Sequence, residues 1–126
     1  MAKLPSFADE LRARQRVAAR YSALLSSVAR VPQIAVGNEC VYAQYTIEVD
    51  GREAVQAALK QAGVPSAVHY PVPLNLQPVF AHLNRPEGSF PVAEAASRRV
   101  MSLPMHPFLD EPTQDAVVGA VKRALG

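Results

Sequence analysis

A histidine and a tyrosine stand side by side in the run Ala67-Val68-His69-Tyr70-Pro71-Val72-Pro73. Imidazole and phenol both donate and accept hydrogen bonds, and the phenol ring adds a flat apolar face. The proline that follows biases Tyr70 toward an extended backbone. A strand end followed by a stiff loop is a common place for binding residues, so the pair suits a polar ligand. A plainer arrangement fits the same residues, with Tyr70 in the core and His69 at its rim. Other candidate chemistry is thinner. His69, His82 and His106 lie far apart in the chain and lack metal-ligand spacing. Cys40 follows Glu39, whose charge disfavours a thiolate, so a neutral thiol is expected. Ser89 and Ser97 have no nucleophile-elbow sequence around them. The glycines are scattered singly, which rules out a phosphate-cradling loop. The lysines are Lys3, Lys60 and Lys122, and the last two fall on predicted exposed helix faces. No complete catalytic site is legible in these residues.

The elements that must position His69 and Tyr70 are readable from periodicity and breakers. Residues 1–30 read as one helix starting at Pro5 or Ser6, with Phe7, Leu11, Ala18, Tyr21, Leu25 and Val28 on one row and Arg14 interrupting it. Val17 and Leu24 make its apolar surface two-sided, as for a helix lying between domains or subunits. Its arginines (Arg12, Arg14, Arg16, Arg20, Arg30) read as a solvated face or as a docking surface for an acidic partner. Strict alternation from Val41 to Val49 predicts a strand. Asp50 and Glu53 resemble a capping box opening a helix to about Ala62, burying Ala54, Val55, Ala58, Leu59 and Ala62. Gly63 and Pro65 end it. Residues 66–70 read as a short second strand, completing a strand-helix-strand unit. Prolines at 71, 73 and 78 argue against a central strand there. A turn cluster covers residues 84–88. A helix then begins near Pro91 and buries Val92, Ala95, Ala96 and Val100. Residues 102–105 are extended. Asp110 caps a last helix with Pro112 in its first turn, burying Val117, Val121 and Leu125.

This order predicts a two-layer α/β (α+β) domain: a long helix, then a small, mostly antiparallel sheet with helices packed on it. The 126 residues are enough for one compact domain with a real core. The near-balanced charge, +2, and the dispersed basic residues argue against nucleic acid as a partner. The lone cysteine excludes an internal disulfide framework. No apolar run has membrane-spanning length, and residues 1–6 lack a signal-peptide core. A soluble, cytoplasmic chain is expected, with no membrane contact. The 11 prolines, most of them between Pro65 and Pro112, predict a stretch rich in turns and extended loop.

Taken together, SAVHYPVPLNLQPVF and FPVAEAASRRVMSLPMHPFL resemble the C-terminal part of the DegT/DnrJ/EryC1/StrS family of pyridoxal-phosphate-dependent nucleotide-sugar aminotransferases. The pattern R-x-x-x-A-x-x-Y-x-x-L at Arg14, Ala18, Tyr21 and Leu24 fits the same family, as does R-E-x-x-x-x-L-K-x-x-G-V-P from Arg52 to Pro65. The resemblance covers nearly the whole chain, in order. Within the family it is most similar to the branch acting on UDP-linked 3-oxo-2-acetamido uronic acids for bacterial surface polysaccharide and lipopolysaccharide.

The resemblance implies a small C-terminal domain of a fold-type-I aminotransferase, with residues 1–30 linking to a large domain and residues 31–126 forming the small one. It implies that pyridoxal 5'-phosphate, its Schiff-base lysine and its phosphate site belong mainly to the large domain, and that this chain alone is neither catalytic nor cofactor-binding. It further implies a homodimer, a nucleotide-sugar substrate and glutamate as amino donor. In that scheme His69 and Tyr70 line the sugar-nucleotide pocket and His106 is structural. One position departs: relatives often carry histidine where this chain has Asn75. Two other readings compete from the residues alone. One is a free-standing α/β ligand-sensing or protein-interaction module. The other is a small hydrolase using Cys40 or a histidine.

Overall fold

The sheet at the centre of the molecule is narrow, and its pairing explains which residues are buried. The computed structural model describes residues 4–126. Met1, Ala2 and Lys3, the start of the predicted linking helix, lie outside them. Strand β1 (Tyr45–Glu48) pairs antiparallel with β2 (Val100–Leu103) in the register Tyr45–Leu103, Thr46–Ser102, Ile47–Met101 and Glu48–Val100. Partners directly opposite share a face. Tyr45, Ile47, Met101 and Leu103 therefore form one apolar face, and all four are buried. Thr46 and Ser102 lie on the other, with their hydroxyls 2.9 Å apart. Single bridges extend the sheet at both edges, Arg30 to Glu48 and Ala67 to Ser102.

Three helices build the rest of the core. These are α1 (Phe7–Leu25), α2 (Arg52–Gln61) and α4 (Glu111–Leu125), and α4 packs against both of the others. Val17, Ala18, Tyr21 and Leu25 of α1, Val55 and Leu59 of α2, and Val117, Val118 and Val121 of α4 join the sheet in one cluster. Polar links run through it. Tyr21 donates its hydroxyl to the Pro104 carbonyl at 3.1 Å, and its ring lies 5.1 Å from that of Tyr45. The Tyr45 hydroxyl meets Ser22 Oγ at 2.8 Å. Burial, and then the neighbouring Tyr45, pushes the Tyr21 phenol far above its ordinary pKa, so it stays protonated. The buried amide of Gln114 donates to the Val17 carbonyl at 3.0 Å, joining α4 to α1. The fold is thus a small two-layer α/β domain with an antiparallel sheet.

Local signals held where the chain had only itself to satisfy. Asp110 caps α4, accepting the Thr113 N–H at 2.9 Å, with a proline in the first turn. Val117 and Val121 are buried, and Leu125 is partly so. Gly63 has φ +74°, the left-handed stop expected after α2.

Six expectations are corrected. The strand predicted from Val41 to Val49 is confined to Tyr45–Glu48. Tyr42 takes φ +45°, and its carbonyl accepts from Arg14 while its N–H meets Cys40 Sγ. These side chains, not a ladder, hold the preceding stretch, and they use the arginine that interrupts the α1 row. The second predicted strand, residues 66–70, is only the bridge at Ala67. Asp50 makes no cap. Gly51, at φ +62°, takes the N-cap position of α2, and Asp50 pairs instead with Arg99 at 3.2 Å. α2 buries Val55 and Leu59, while Ala54 and Ala62 are exposed. In α3 (Pro91–Arg99), Val92 is 84% exposed, and the buried residues are Glu94 and Ser97. The predicted single helix of residues 1–30 ends at Leu25, with Phe7 and Val28 exposed. Of its arginines, Arg20 meets Asp115 at 2.9 Å and Arg30 meets Glu48 at 3.6 Å.

Candidate functional site

At Ala67 the chain is still hydrogen-bonded to β2, through Ala67 N to Ser102 O at 3.1 Å and Ser102 N to Ala67 O at 2.7 Å. Two residues later it has left the sheet, and His69 and Tyr70 project from the departure point. Pro71 and Pro73 have no N–H to return to a ladder. The chain turns instead through short 3₁₀ segments, Leu74–Leu76 and Pro78–Leu83. Left-handed Asn84 (φ +50°) and Gly88 (φ +89°) then reverse it into α3. Pro91 opens α3, where a missing N–H costs nothing.

Between this excursion and α3 lies a cleft of about 500 Å³. His69, Tyr70, Leu74 and Asn75 line one part of it, and Phe90 and Ser97 another. The wall is largely apolar, with a few polar groups, which is the usual make-up of a small-molecule site. The His69 and Tyr70 rings stand edge to face, 5.8 Å apart at 78°. Tyr70 is 73% exposed, so it is not a core tyrosine with a histidine at its rim. Neither side chain has a hydrogen-bond partner among the described residues, and both polar ends remain available to a ligand.

The Asn75 amide donates to Glu94 Oε1 at 3.0 Å and to the Arg85 carbonyl at 3.4 Å. A histidine ring N–H could fill the same donor role. Glu94 also accepts the Gly88 N–H on Oε2 at 2.8 Å and the Phe90 N–H on Oε1 at 3.1 Å. The Gly88 N–H, followed by Phe90, Asn75 and the nearby Arg98, holds this carboxyl below its ordinary pKa against the opposing effect of burial. Ser97 Oγ is already committed to the Glu94 carbonyl at 2.8 Å. From α2, Arg52 reaches the Ser97 and Val100 carbonyls and fixes the end of α3. The sequence reading missed Asn75, Glu94, Leu74 and Phe90 as a unit. A usable signal existed: an acidic residue just inside a proline-started helix can reach back to the N-terminal N–H groups.

The remaining candidates do not join this cleft. His82 contacts the Val79 carbonyl at 3.1 Å. The exposed His106 lies in the turn before α4, where its main-chain carbonyl accepts from Leu109, and it does not line the cleft. Half-buried Cys40 accepts the Tyr42 N–H at 3.4 Å. Among the described residues no three His, Cys, Asp or Glu side chains are grouped to hold a metal. No helix among them is long and apolar enough to cross a membrane. Neither Lys60 nor Lys122 lines the cleft.

The model of the DegT/DnrJ/EryC1/StrS aminotransferase family matches residues 1–122, and the chain belongs to that family. It is 49% identical over 120 residues to the UDP-2-acetamido-2-deoxy-3-oxo-D-glucuronate aminotransferase of Pseudomonas aeruginosa, covering 94% of this chain and 33% of that one. It is 35% identical over 125 residues to the UDP-N-acetyl-3-dehydro-alpha-D-glucosamine 3-aminotransferase of Acidithiobacillus ferrooxidans, covering 98% of this chain and 33% of that one. Among solved structures, a family aminotransferase from Brucella abortus superposes with a TM-score of 0.92 at 40% identity, over 99% of this chain and 34% of that one. DesV of S. venezuelae, solved in complex with a ketimine intermediate, gives 0.92 at 31% identity, over 98% of this chain and 34% of that one. The chain thus spans about a third of the length of these relatives, as a C-terminal small domain would.

Proposed function

We propose that this chain is the small domain of a pyridoxal-phosphate-dependent aminotransferase that aminates a keto group on a nucleotide-linked sugar. The substrate is a UDP-linked 3-oxo-2-acetamido uronic acid, the donor is glutamate, and the product serves bacterial surface polysaccharide or lipopolysaccharide synthesis in the cytoplasm. The observation that carries this reading is the 49% identity, over 94% of the chain, to an aminotransferase named for that sugar.

The residues described here do not fit the cofactor by themselves. Neither a lysine nor an arginine is among the residues that line the cleft. When bound, pyridoxal phosphate supplies the electron sink for transamination, and the protein supplies orientation. In our reading the cofactor is held mainly by a large domain joined through residues 1–30, residues 31–126 form the small domain, and two copies make a homodimer. The exposed ring of Phe7, which shares a second groove with Leu11 and Val41, supports a docking role for the start of α1.

The task left to this chain is recognition. His69 and Tyr70 hydrogen-bond the polar groups of the sugar at the cleft mouth, and the Tyr70 ring packs on it. In the intact enzyme, His69→Ala is expected to weaken sugar-nucleotide binding about tenfold, the cost of one hydrogen bond to a charged group. The half-reaction with glutamate should be unchanged. An unaltered affinity for the sugar nucleotide would sink this role. A natural polypeptide of only 126 residues in the source cell would instead support a free-standing binding module.

A further inference from the structure

Glu94 sits behind the cleft wall, 3% exposed, and does not line the cavity. Its two oxygens nevertheless take three donors that belong to different parts of that wall. Asn75 comes from the excursion after Tyr70, Gly88 from the reversal, and Phe90 from the N-cap of α3. Asn75 and Phe90 both line the cleft. Every residue from 81 to 93 is exposed, so apolar burial does not anchor that stretch, and Leu76 and Phe80 before it are only half-buried. Strand pairing does not reach it either. A buried carboxylate that lost these donors would be strongly disfavoured, so each of the three bonds is costly to break.

We propose that Glu94 is the positioning residue of the cleft, and that the Asn75–Glu94 hydrogen bond sets the spacing of its two walls and hence its affinity for the sugar nucleotide. This rests on the reading of the cleft as the sugar-nucleotide site. Two linked consequences follow. Replacing the Asn75 amide by another N–H donor of suitable reach preserves the site. Replacing it by an apolar side chain of similar size loosens the site without touching His69 or Tyr70.

The test uses the full-length enzyme and UDP-2-acetamido-2-deoxyglucuronate as a binding probe, followed by calorimetry, with amide hydrogen exchange read in parallel. Asn75→Leu and Glu94→Gln are expected to weaken probe binding about tenfold and to speed exchange at Gly88 and Phe90, as loss of a charge-assisted bond predicts. Asn75→His is expected to stay within about threefold of the parent, since its ring N–H restores the donor. The Asn75 pair keeps the test valid if Glu94→Gln fails to fold. Faster exchange with unchanged affinity in Asn75→Leu would overturn the positioning role and leave a purely structural one. Equal losses in Asn75→Leu and Asn75→His would also overturn it, because the donor would then not matter. His69→Ala serves as the control. If it too leaves probe affinity unchanged, the reading of the cleft itself has failed, and the role of Glu94 in binding falls with it. If His69→Ala weakens binding and Asn75→Leu does not, only the positioning proposal is lost.

Discussion

From Val17 to Val64, and again from Met101 to Val121, the buried side chains are mostly apolar and meet in a single cluster. From His69 to Arg99 the buried residues are Glu94 and Ser97, both polar, while Leu74, Val79, Leu83, Phe90 and Val92 are all exposed. The first region is held by surface removed from water, a non-directional force that grows with area. The second is held by hydrogen bonds converging on one carboxylate, which are directional and few. Burial makes a region stable, whereas convergent hydrogen bonds fix where particular backbone and side-chain groups stand. A cleft wall needs the second property more than the first, and regions held this way open at lower cost than a core.

Breaking the apolar region should have the largest effect. Leu59→Ala, at a fully buried position of α2, is expected to destabilise the chain by about 2–5 kcal/mol, measured by urea unfolding. A loss much below that range would mean that the α2–α4 contact relaxes into the space. Next in size is Gln114→Ala, which removes the α4 link to the Val17 carbonyl and leaves a small void. About 1–2 kcal/mol is expected in the same assay. An effect as large as that of Leu59→Ala would show that the core depends on a polar tie as much as the cleft does, and would erase the contrast.

Acid should act on the other region first. The Glu94 pKa is depressed in the folded chain, chiefly by the Gly88 N–H. Its contribution is therefore present above the ordinary carboxylate range and is lost as pH falls through the depressed folded value. On acidification, protection from amide exchange, taken relative to the intrinsic rate at each pH, should fall at Gly88 and Phe90 while it persists at Ile47, in the sheet. Simultaneous loss at both places would mean that the two regions open as one unit. The smallest effect is expected from Val79→Ser, at a residue 68% exposed in the 3₁₀ stretch. Urea unfolding should change by less than about 0.5 kcal/mol, since an exposed side chain away from special features contributes little. A larger change would show that burial does matter in the proline-rich region.

Much of this architecture could be read without coordinates, and the legible parts share a cause. The Asp110 cap, the Gly63 stop and the Pro91 start each depend on a residue's own backbone preferences and its near neighbours in the chain. His69 and Tyr70 stand out in the sequence for a similar reason: a stiff proline run fixes how the residues just before it are presented. The parts that failed depend on distant partners. Alternation from Val41 to Val49 cannot reveal that Arg14, far off in α1, will hold Tyr42 in a left-handed turn and shorten the strand. Apolar periodicity in residues 91–100 favoured Val92 as an inward residue. The inward place went to Glu94 because three donors from elsewhere converge there.

By itself the sequence determined the helices, their order, the main apolar face and the family resemblance, because these follow from local propensity and pattern. The tertiary structure alone decided where the sheet stops, that Tyr70 faces outward, and that Asn75, Gly88 and Phe90 meet on one carboxylate. The first and last of these rest on hydrogen bonds between residues well separated in the chain, as from Arg14 to Tyr42, 28 positions on. Only the folded chain brings such donors and acceptors within reach of each other.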